Sequence, residues 1–164
     1  MKGYLHNASA TSETFTPDGW VRSGDIGYIQ NSNYYIIDRT KDMIKVRGWQ
    51  VSPAEIECAL LEHPDIIDAG VIGIPASNDS GTGEVPHAFV VKKPNAGTSL
   101  DEKEVKAFLE ERLARYKRVD KVSFVDIIPR NPTGKILRRV LREVLYVQEE
   151  KPTVHKDEDH YKEL

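Results

Sequence analysis

The sequence predicts an α+β fold, with a central three-stranded sheet, antiparallel or mixed, flanked by helices and preceded by a β-hairpin segment. Three observations predict it. From Ser52 to Tyr146, helix and strand signals alternate. Two helix-start signals stand before apolar residues at helical spacing. Three separate β-rich runs are long enough to pair in one sheet.

The first third reads as short strands and turns. Asp18-Gly19 marks a turn. Ile26, Tyr28 and Ile29, then Tyr34-Tyr35-Ile36-Ile37, read as two strands, and the polar Gln30-Asn31-Ser32-Asn33 between them makes a hairpin. This part holds too few apolar residues for its own core and reads as the end of something larger. Asp38 to Glu55 reads as a cationic loop, with Arg39, Lys41, Lys45 and Arg47 followed by Gly48. A helix starts at once: Ser52 caps it, Pro53 suits its first position, and Glu55 completes a capping box. Ile56, Ala59 and Leu60 form its inner face, Cys58 reads as a small core residue, and His63-Pro64 stops it.

Ala69–Ile74 and Val85–Val91 are the first two sheet strands, separated by a polar loop from Pro75 to Gly83. Ser99-Leu100-Asp101-Glu102 is a second capping box, opening a helix that turns Val105, Phe108, Leu109 and Leu113 inward. Lys121–Val125 is the third strand. Lys135–Tyr146 is the last helix, with Ile136, Leu137, Val140, Leu141 and Val144 inward. The polar tail from Gln148 has no periodicity and reads as disordered.

Composition narrows the functional classes. The 164 residues suffice for one ordinary core or one core plus a fragment of another, and the 30% charged content suits a polar surface. A net charge of −3 argues against general nucleic-acid binding. No stretch reaches the roughly 20 apolar residues of a membrane helix. The N-terminus lacks the apolar segment of a secretion signal. A single cysteine excludes an internal disulfide and fits a reducing compartment. The five histidines show no ligand spacing, so no metal is assigned.

Three clusters could carry chemistry, and each has an ordinary structural alternative. Asp25, on a glycine-flanked turn entering a strand, can accept hydrogen bonds from a pair of hydroxyls, or simply tighten its own turn. The cations of the Asp38–Glu55 run suit phosphate or carboxylate groups, with Gly48 leaving room for a ligand near the backbone, or form a solvated loop. Lys135 closes Pro129-Arg130-Asn131-Pro132-Thr133-Gly134, whose prolines and glycine constrain the loop. At a helix start it would oppose the helix dipole. Arg138, Arg139 and Arg142 read as a solvated basic face. The loop is not a GxxxxGK[ST] phosphate loop, because Ile136 follows Lys135 and the upstream glycine is missing.

Together the clusters are more specific. Gly19-Trp20…Ser23-Gly24-Asp25, Asp38-Arg39-x-Lys41, Lys45-x-Arg47-Gly48-Trp49-Gln50-Val51-x-Pro53-x-Glu55 and Pro132-Thr133-Gly134-Lys135 resemble, in order and spacing, the C-terminal portion of the adenylate-forming superfamily, acyl-CoA synthetases of the 4-coumarate–CoA ligase type above all. The resemblance runs from Met1 to about Leu145. It implies that ATP and a carboxylic acid give an acyl-adenylate and pyrophosphate, and that CoA then displaces AMP, with the C-terminal domain rotating between the steps. Asp25 would hold the ribose hydroxyls, Arg39 would contact the nucleotide, and Asp38 would be the hinge. Lys135 would bridge carboxylate and α-phosphate during adenylation. After rotation Lys41, Lys45 and Gln50 would face the adenylate, and Arg47 and Gly48 would line the path of CoA. Ser23 departs from the usual threonine but keeps a hydroxyl.

The resemblance also divides the chain: residues 1–37 as the end of a large N-terminal domain, 38–146 as the mobile domain, and 147–164 as a tail. The rest of the N-terminal domain, with its phosphate loop, acyl pocket and most ligands for the Mg2+ that accompanies ATP, is missing, so the chain alone is expected to be inactive. Two other readings remain: a piece of a peptide-synthetase adenylation domain, which Gln50–Glu55 disfavours, and a non-catalytic interaction module that keeps the fold. The expected compartment is the cytoplasm, with the peroxisome as alternative. The terminal Tyr161-Lys162-Glu163-Leu164 is neither a Ser-Lys-Leu nor a Lys-Asp-Glu-Leu signal.

Overall fold

The structure, a computed structural model, describes residues 1–76, 83–94 and 100–149. In chain order these form α1 (Ala8–Thr14), β1 (Asp25–Gln30), β2 (Asn33–Arg39), β3 (Ile44–Val46), β4 (Trp49–Val51), α2 (Pro53–Leu61), β5 (Ile66–Pro75), β6 (Glu84–Lys92), α3 (Glu102–Glu110), β7 (Lys121–Phe124) and α4 (Arg138–Glu149). The sheet order is β5-β6-β7, with β5–β6 antiparallel and β6–β7 parallel, so the expected three-stranded sheet is mixed.

Strand alternation explains why helices cover both faces. Successive side chains point to opposite sides of a strand. Val71, Ala88 and Val90 join α2, α3 and the β3–β4 hairpin in one core, through Ile56, Leu60, Val105 and Leu109. Ile72 and Phe89 point the other way, onto Leu141 and Leu145 of α4 and Ile128. A strand buried on both faces reads as a continuous apolar run rather than an alternation. That is the character of Ala69–Ile74.

The β1–β2 hairpin turns through Asn31 and Ser32, both with positive φ, as a two-residue turn requires. It forms its own two-stranded sheet. Tyr28 stacks on Tyr35 with ring centroids 5.0 Å apart, and Tyr28, Ile29, Tyr34, Tyr35, Ile36 and Ile37 all remain exposed.

Several local expectations are corrected. The first third contains a helix, α1, which buries nothing and therefore carries no apolar period. Asn7 caps it, and the hydroxyls of Thr11, Ser12 and Thr14 bond back to carbonyls one turn earlier. Ser52 does not cap α2 with its own oxygen. Its hydroxyl donates to Asp38 Oδ2 at 2.6 Å, and that carboxylate oxygen lies 3.4 Å from the Ala54 amide. Glu55 pairs with Lys117 instead of closing a capping box. Cys58 is exposed, because it lies off the Ile56–Leu60 face of α2. The α3 cap is Asp101, accepting from the Glu104 amide at 2.8 Å. Ser99 lies outside the described residues, as do positions 77–82 of the expected loop and 150–164 of the tail.

The last helix begins at Arg138, so Lys135 precedes it by three residues. Leu137 is exposed. These positions generate a paired prediction for chemical denaturation. Phe89→Ala should destabilise the chain by about 3–5 kcal/mol, as expected for emptying a sealed aromatic site. Leu137→Ala should stay within about 0.5 kcal/mol, against the inward placement its spacing suggests. Equal losses would contradict this packing.

Candidate functional site

Lys135 sits on a loop whose path is set by hydrogen bonds more than by its prolines. Asn131 Oδ1 accepts from the Thr133 amide (3.0 Å), the Thr133 hydroxyl (2.8 Å) and the Lys135 amide (2.9 Å). Asn131 N–H in turn donates to the Lys135 carbonyl at 2.9 Å. Gly134, at φ +84°, occupies the left-handed region that side chains resist. Arg130 closes the loop from outside: it donates to the Gly134 carbonyl at 2.8 Å and to Asp68 Oδ1 at 2.7 Å. The hydrogen bond to Asp68 raises the pKa of the guanidinium above its ordinary value.

On the far side of the loop, Arg138 forms a nearly buried ion pair with Glu57, and its guanidinium also donates to the Val71 carbonyl at 2.9 Å. Arg138 is therefore not part of a solvated basic face, whereas Arg139 and Arg142 are exposed. Its partner lies 81 residues away, beyond the reach of local pattern.

An open cleft of about 720 Å³ brings Lys135 together with Asp38, Arg39, Lys41, Arg139 and Arg142. That volume lies within the roughly 300–1,000 Å³ usual for small-molecule sites. Lys41, Lys135 and Arg142 make no ion pair among the described residues. Arg39 is paired with Asp25 at 3.3 Å, both residues lying directly opposite in the β1–β2 register. The Asp25 amide is held by Ser23 Oγ at 3.2 Å, and its carboxylate points across the hairpin rather than into its own turn. Exposed pairs of this kind contribute at most about 1 kcal/mol, so a ligand can displace them.

The remaining candidates lie elsewhere. The segment read as a cationic loop is a hairpin, β3–β4, missed because each strand has three residues and the two-residue turn contains a non-glycine left-handed residue. Arg47 sits at φ +46° and Gly48 at φ +86°. Lys45 faces Gln50 in register, and both are exposed on the outward side. Val46 and Trp49 form the next pair; Val46 is buried, whereas Trp49 remains exposed and stacks on Tyr116 at 4.9 Å. The hairpin is fixed to β6 by Glu84, whose carboxylate accepts from the Lys45 amide at 2.9 Å.

Beside this stack lies a second cleft of about 480 Å³, lined by Arg47, Trp49, Arg115, Tyr116, Arg118 and Asp120 together with apolar residues of β3, β6 and the segment before β7. Arginine forks suit phosphate, and an aromatic stack offers a surface for a flat ring. Arg115, Tyr116 and Arg118 escape sequence reading because their turn carries no motif. The only signal is the run Arg115-Tyr116-Lys117-Arg118 itself. Lys117, next to them, is held by Glu55 at 2.6 Å, a hydrogen bond that raises its pKa. No residue lines both clefts. Lys135 and Lys41 thus share one surface, while Lys45, Gln50, Arg47 and Gly48 occupy the hairpin.

Residues 55–135 match the AMP-binding enzyme C-terminal domain. The chain carries that adenylate-forming-enzyme domain. Peroxisomal OPC-8:0-CoA ligase 1 of Arabidopsis thaliana is 49% identical over 142 residues, 86% of this chain and 25% of that protein. 4-Coumarate–CoA ligase 1 of Glycine max is 48% identical over 143 residues, 87% of this chain and 47% of that protein. ATP-bound MatB from Rhodopseudomonas palustris superposes with a TM-score of 0.76 at 37% identity, over 87% of this chain and 28% of that one. The chain thus spans between a quarter and a half of the curated relatives it matches. Among the described residues no helix is long and apolar enough to cross a membrane.

The turn of the β3–β4 hairpin yields a stability prediction. Gly48→Ala should cost about 1–2 kcal/mol despite open space around the new methyl, because the cost is conformational. Arg47→Gly should leave stability equal or higher, since it removes a left-handed side-chain residue. Thermal unfolding of both variants checks the pair, and the reverse ranking would refute the turn geometry.

Proposed function

We propose that this chain is the mobile C-terminal portion of an acid–CoA ligase that converts a carboxylic acid, ATP and CoA to acyl-CoA, AMP and pyrophosphate. The observation that carries this reading is the separation of the two clefts. One bears Lys135, and the other adjoins the hairpin of Lys45, Arg47, Gly48 and Gln50. A domain with two such surfaces can serve two half-reactions in turn. The naming of relatives as CoA ligases, at 48–49% identity, supports CoA as the acceptor over a carrier protein.

In the first half-reaction, the Lys135 ammonium offsets negative charge that builds between the attacking carboxylate and the α-phosphate. Asp25 holds the ribose hydroxyls and Arg39 contacts the nucleotide, so their mutual pair opens when ATP binds. In the second, Lys45 and Gln50 face the adenylate, while Arg47 and Gly48 guide CoA. The Trp49–Tyr116 stack, Arg115 and Arg118 extend that guide for the phosphates and base of CoA. Lys41 shares the cleft of Lys135, so its assignment to the second step requires that rotation about Asp38 carry it to the adenylate.

Residues 1–37 would close a large N-terminal domain, against which the exposed apolar residues of the β1–β2 hairpin would pack. Residues 38–146 are the mobile unit. Among the described residues no three His, Cys, Asp or Glu groups converge on a cation position. The Mg2+ that accompanies ATP would be held mainly by the N-terminal domain. The cytoplasm is the proposed compartment, although one relative is named as peroxisomal.

In the intact ligase, Lys135→Ala should slow acyl-adenylate formation by about 100- to 1,000-fold, the scale of removing one preorganised charge-stabilising group. It should largely spare thioester formation from supplied acyl-adenylate, and Lys45→Ala should show the opposite bias. Equal loss of both half-reactions in either variant would defeat the division of labour. Calorimetry on this chain alone should show no tight ATP binding; saturable tight binding would refute a site shared with another domain.

A further inference from the structure

We propose that Asp68, Arg130 and Asn131 are positioning residues for Lys135, transmitting the rigidity of the central sheet to the loop that carries it. The proposal rests on the adenylation role given to Lys135 above. Asp68 belongs to β5, next to an irregularity in the β5–β6 register between Ile66 and Asp68. Bulges of this kind redirect side chains. Here the extra residue, Ile67, is exposed, and the Asp68 carboxylate meets Arg130.

The connection is continuous. Asp68 Oδ1 accepts from Arg130 Nη2 at 2.7 Å, and Oδ2 from Nε at 3.4 Å. Arg130 Nη1 donates to the Gly134 carbonyl at 2.8 Å, the peptide group joining Gly134 to Lys135. The Lys135 N–H of that same peptide donates to Asn131 Oδ1, and the Lys135 carbonyl accepts from the Asn131 N–H, both at 2.9 Å. The peptide groups on both sides of the Lys135 Cα are therefore held. Only the lysine side chain remains free, with no partner among the described residues.

The arrangement also selects which cation meets the ligand. Both ends of the Arg130 fork are filled, by a carboxylate and a carbonyl, and Arg138 is filled likewise by Glu57 and Val71. These two arginines line the cleft without presenting a free charge to it. Lys135 stands between them as the unpaired cation of the loop. An ammonium on a flexible stem contributes to a transition state only if its base is fixed, and a misplacement of about 1 Å can cost on the order of 100-fold in rate.

The test uses the intact ligase. Asp68→Ala should slow acyl-adenylate formation by about 10- to 100-fold and leave thioester formation from supplied acyl-adenylate within about twofold. Asn131→Ala should do the same. Asp68→Asn, which keeps an acceptor for Arg130, should recover part of the loss. Added to Lys135→Ala, Asp68→Ala should cause no further loss, because it acts through that lysine. In hydrogen exchange, Asp68→Asn should speed the Thr133 and Lys135 amides while leaving those of β6 unchanged.

Wild-type adenylation in Asp68→Ala and Asn131→Ala, alongside a crippled Lys135→Ala, would overturn the positioning role and leave the Lys135 assignment standing. Full adenylation by Lys135→Ala would overturn both. Equal loss of both half-reactions in Asp68→Ala, or accelerated exchange throughout the Asp68→Asn protein, would show a merely structural role and overturn the proposal.

Discussion

The ion pair between Glu57 and Arg138 joins all three layers of the domain at one point. Glu57 comes from α2, Arg138 from the first position of α4, and between them lies Val71 of β5, whose N–H donates to Glu57 and whose carbonyl accepts from Arg138. Bringing two charges out of water costs several kcal/mol for each ion. The cost is met here because the two groups satisfy one another and a backbone unit as well. Losing either partner would strand the other in a nearly dry site. The pair fixes where α4 begins and therefore where the loop before it must end.

That constraint separates what local sequence could specify from what it could not. The sheet strands and the inner faces of α2 and α3 are written in runs and periods a few residues long, so Ala69–Ile74, Val85–Val91, Ile56–Leu60 and Val105–Leu109 are legible. The start of α4 is not, because Arg138 is recruited by a carboxylate far upstream, and the three residues before it serve the loop instead. Cys58 has apolar neighbours in sequence but falls on the open side of its helix. Ser52 has the chemistry of a cap and is diverted by Asp38. For Arg138 and Ser52 a tertiary partner overrides a sound local preference.

The candidate site follows the same rule. Motif spacing singles out Asp25, Lys45 and Lys135 as candidates, but not the groups that hold them. Asp68 and Asn131 look like ordinary surface polar residues in a linear reading. The Arg115–Arg118 turn has no motif, and only folding brings it against Trp49. Charge counting misleads for a related reason. Several cations line the Lys135 cleft, yet Arg130 and Arg138 are neutralised locally and Arg39 and Arg139 carry exposed pairs with Asp25 and Glu143, so only Lys135, Lys41 and Arg142 face an anion without an ion-pair partner among the described residues.

Asp38 shows how such a domain could turn without unfolding. Its backbone completes β2 opposite Ile26, while its carboxylate belongs to α2, receiving the Ser52 hydroxyl and lying near the Ala54 amide. Rotation about the N–Cα bond of Asp38 would move the upstream hairpin and leave that carboxylate in its cap. The contacts such a rotation must break include the last rungs of β1–β2, the Thr40 N–H bond to the Gly24 carbonyl at 2.8 Å and the Asp25–Arg39 pair, which is solvent-exposed and weak. The contacts it would spare are those that cap α2 and anchor the Lys135 loop. In the proposed reaction, Asp25 and Arg39 both turn to the nucleotide, so ligand binding itself would open the weak pair and favour rotation there rather than within the core.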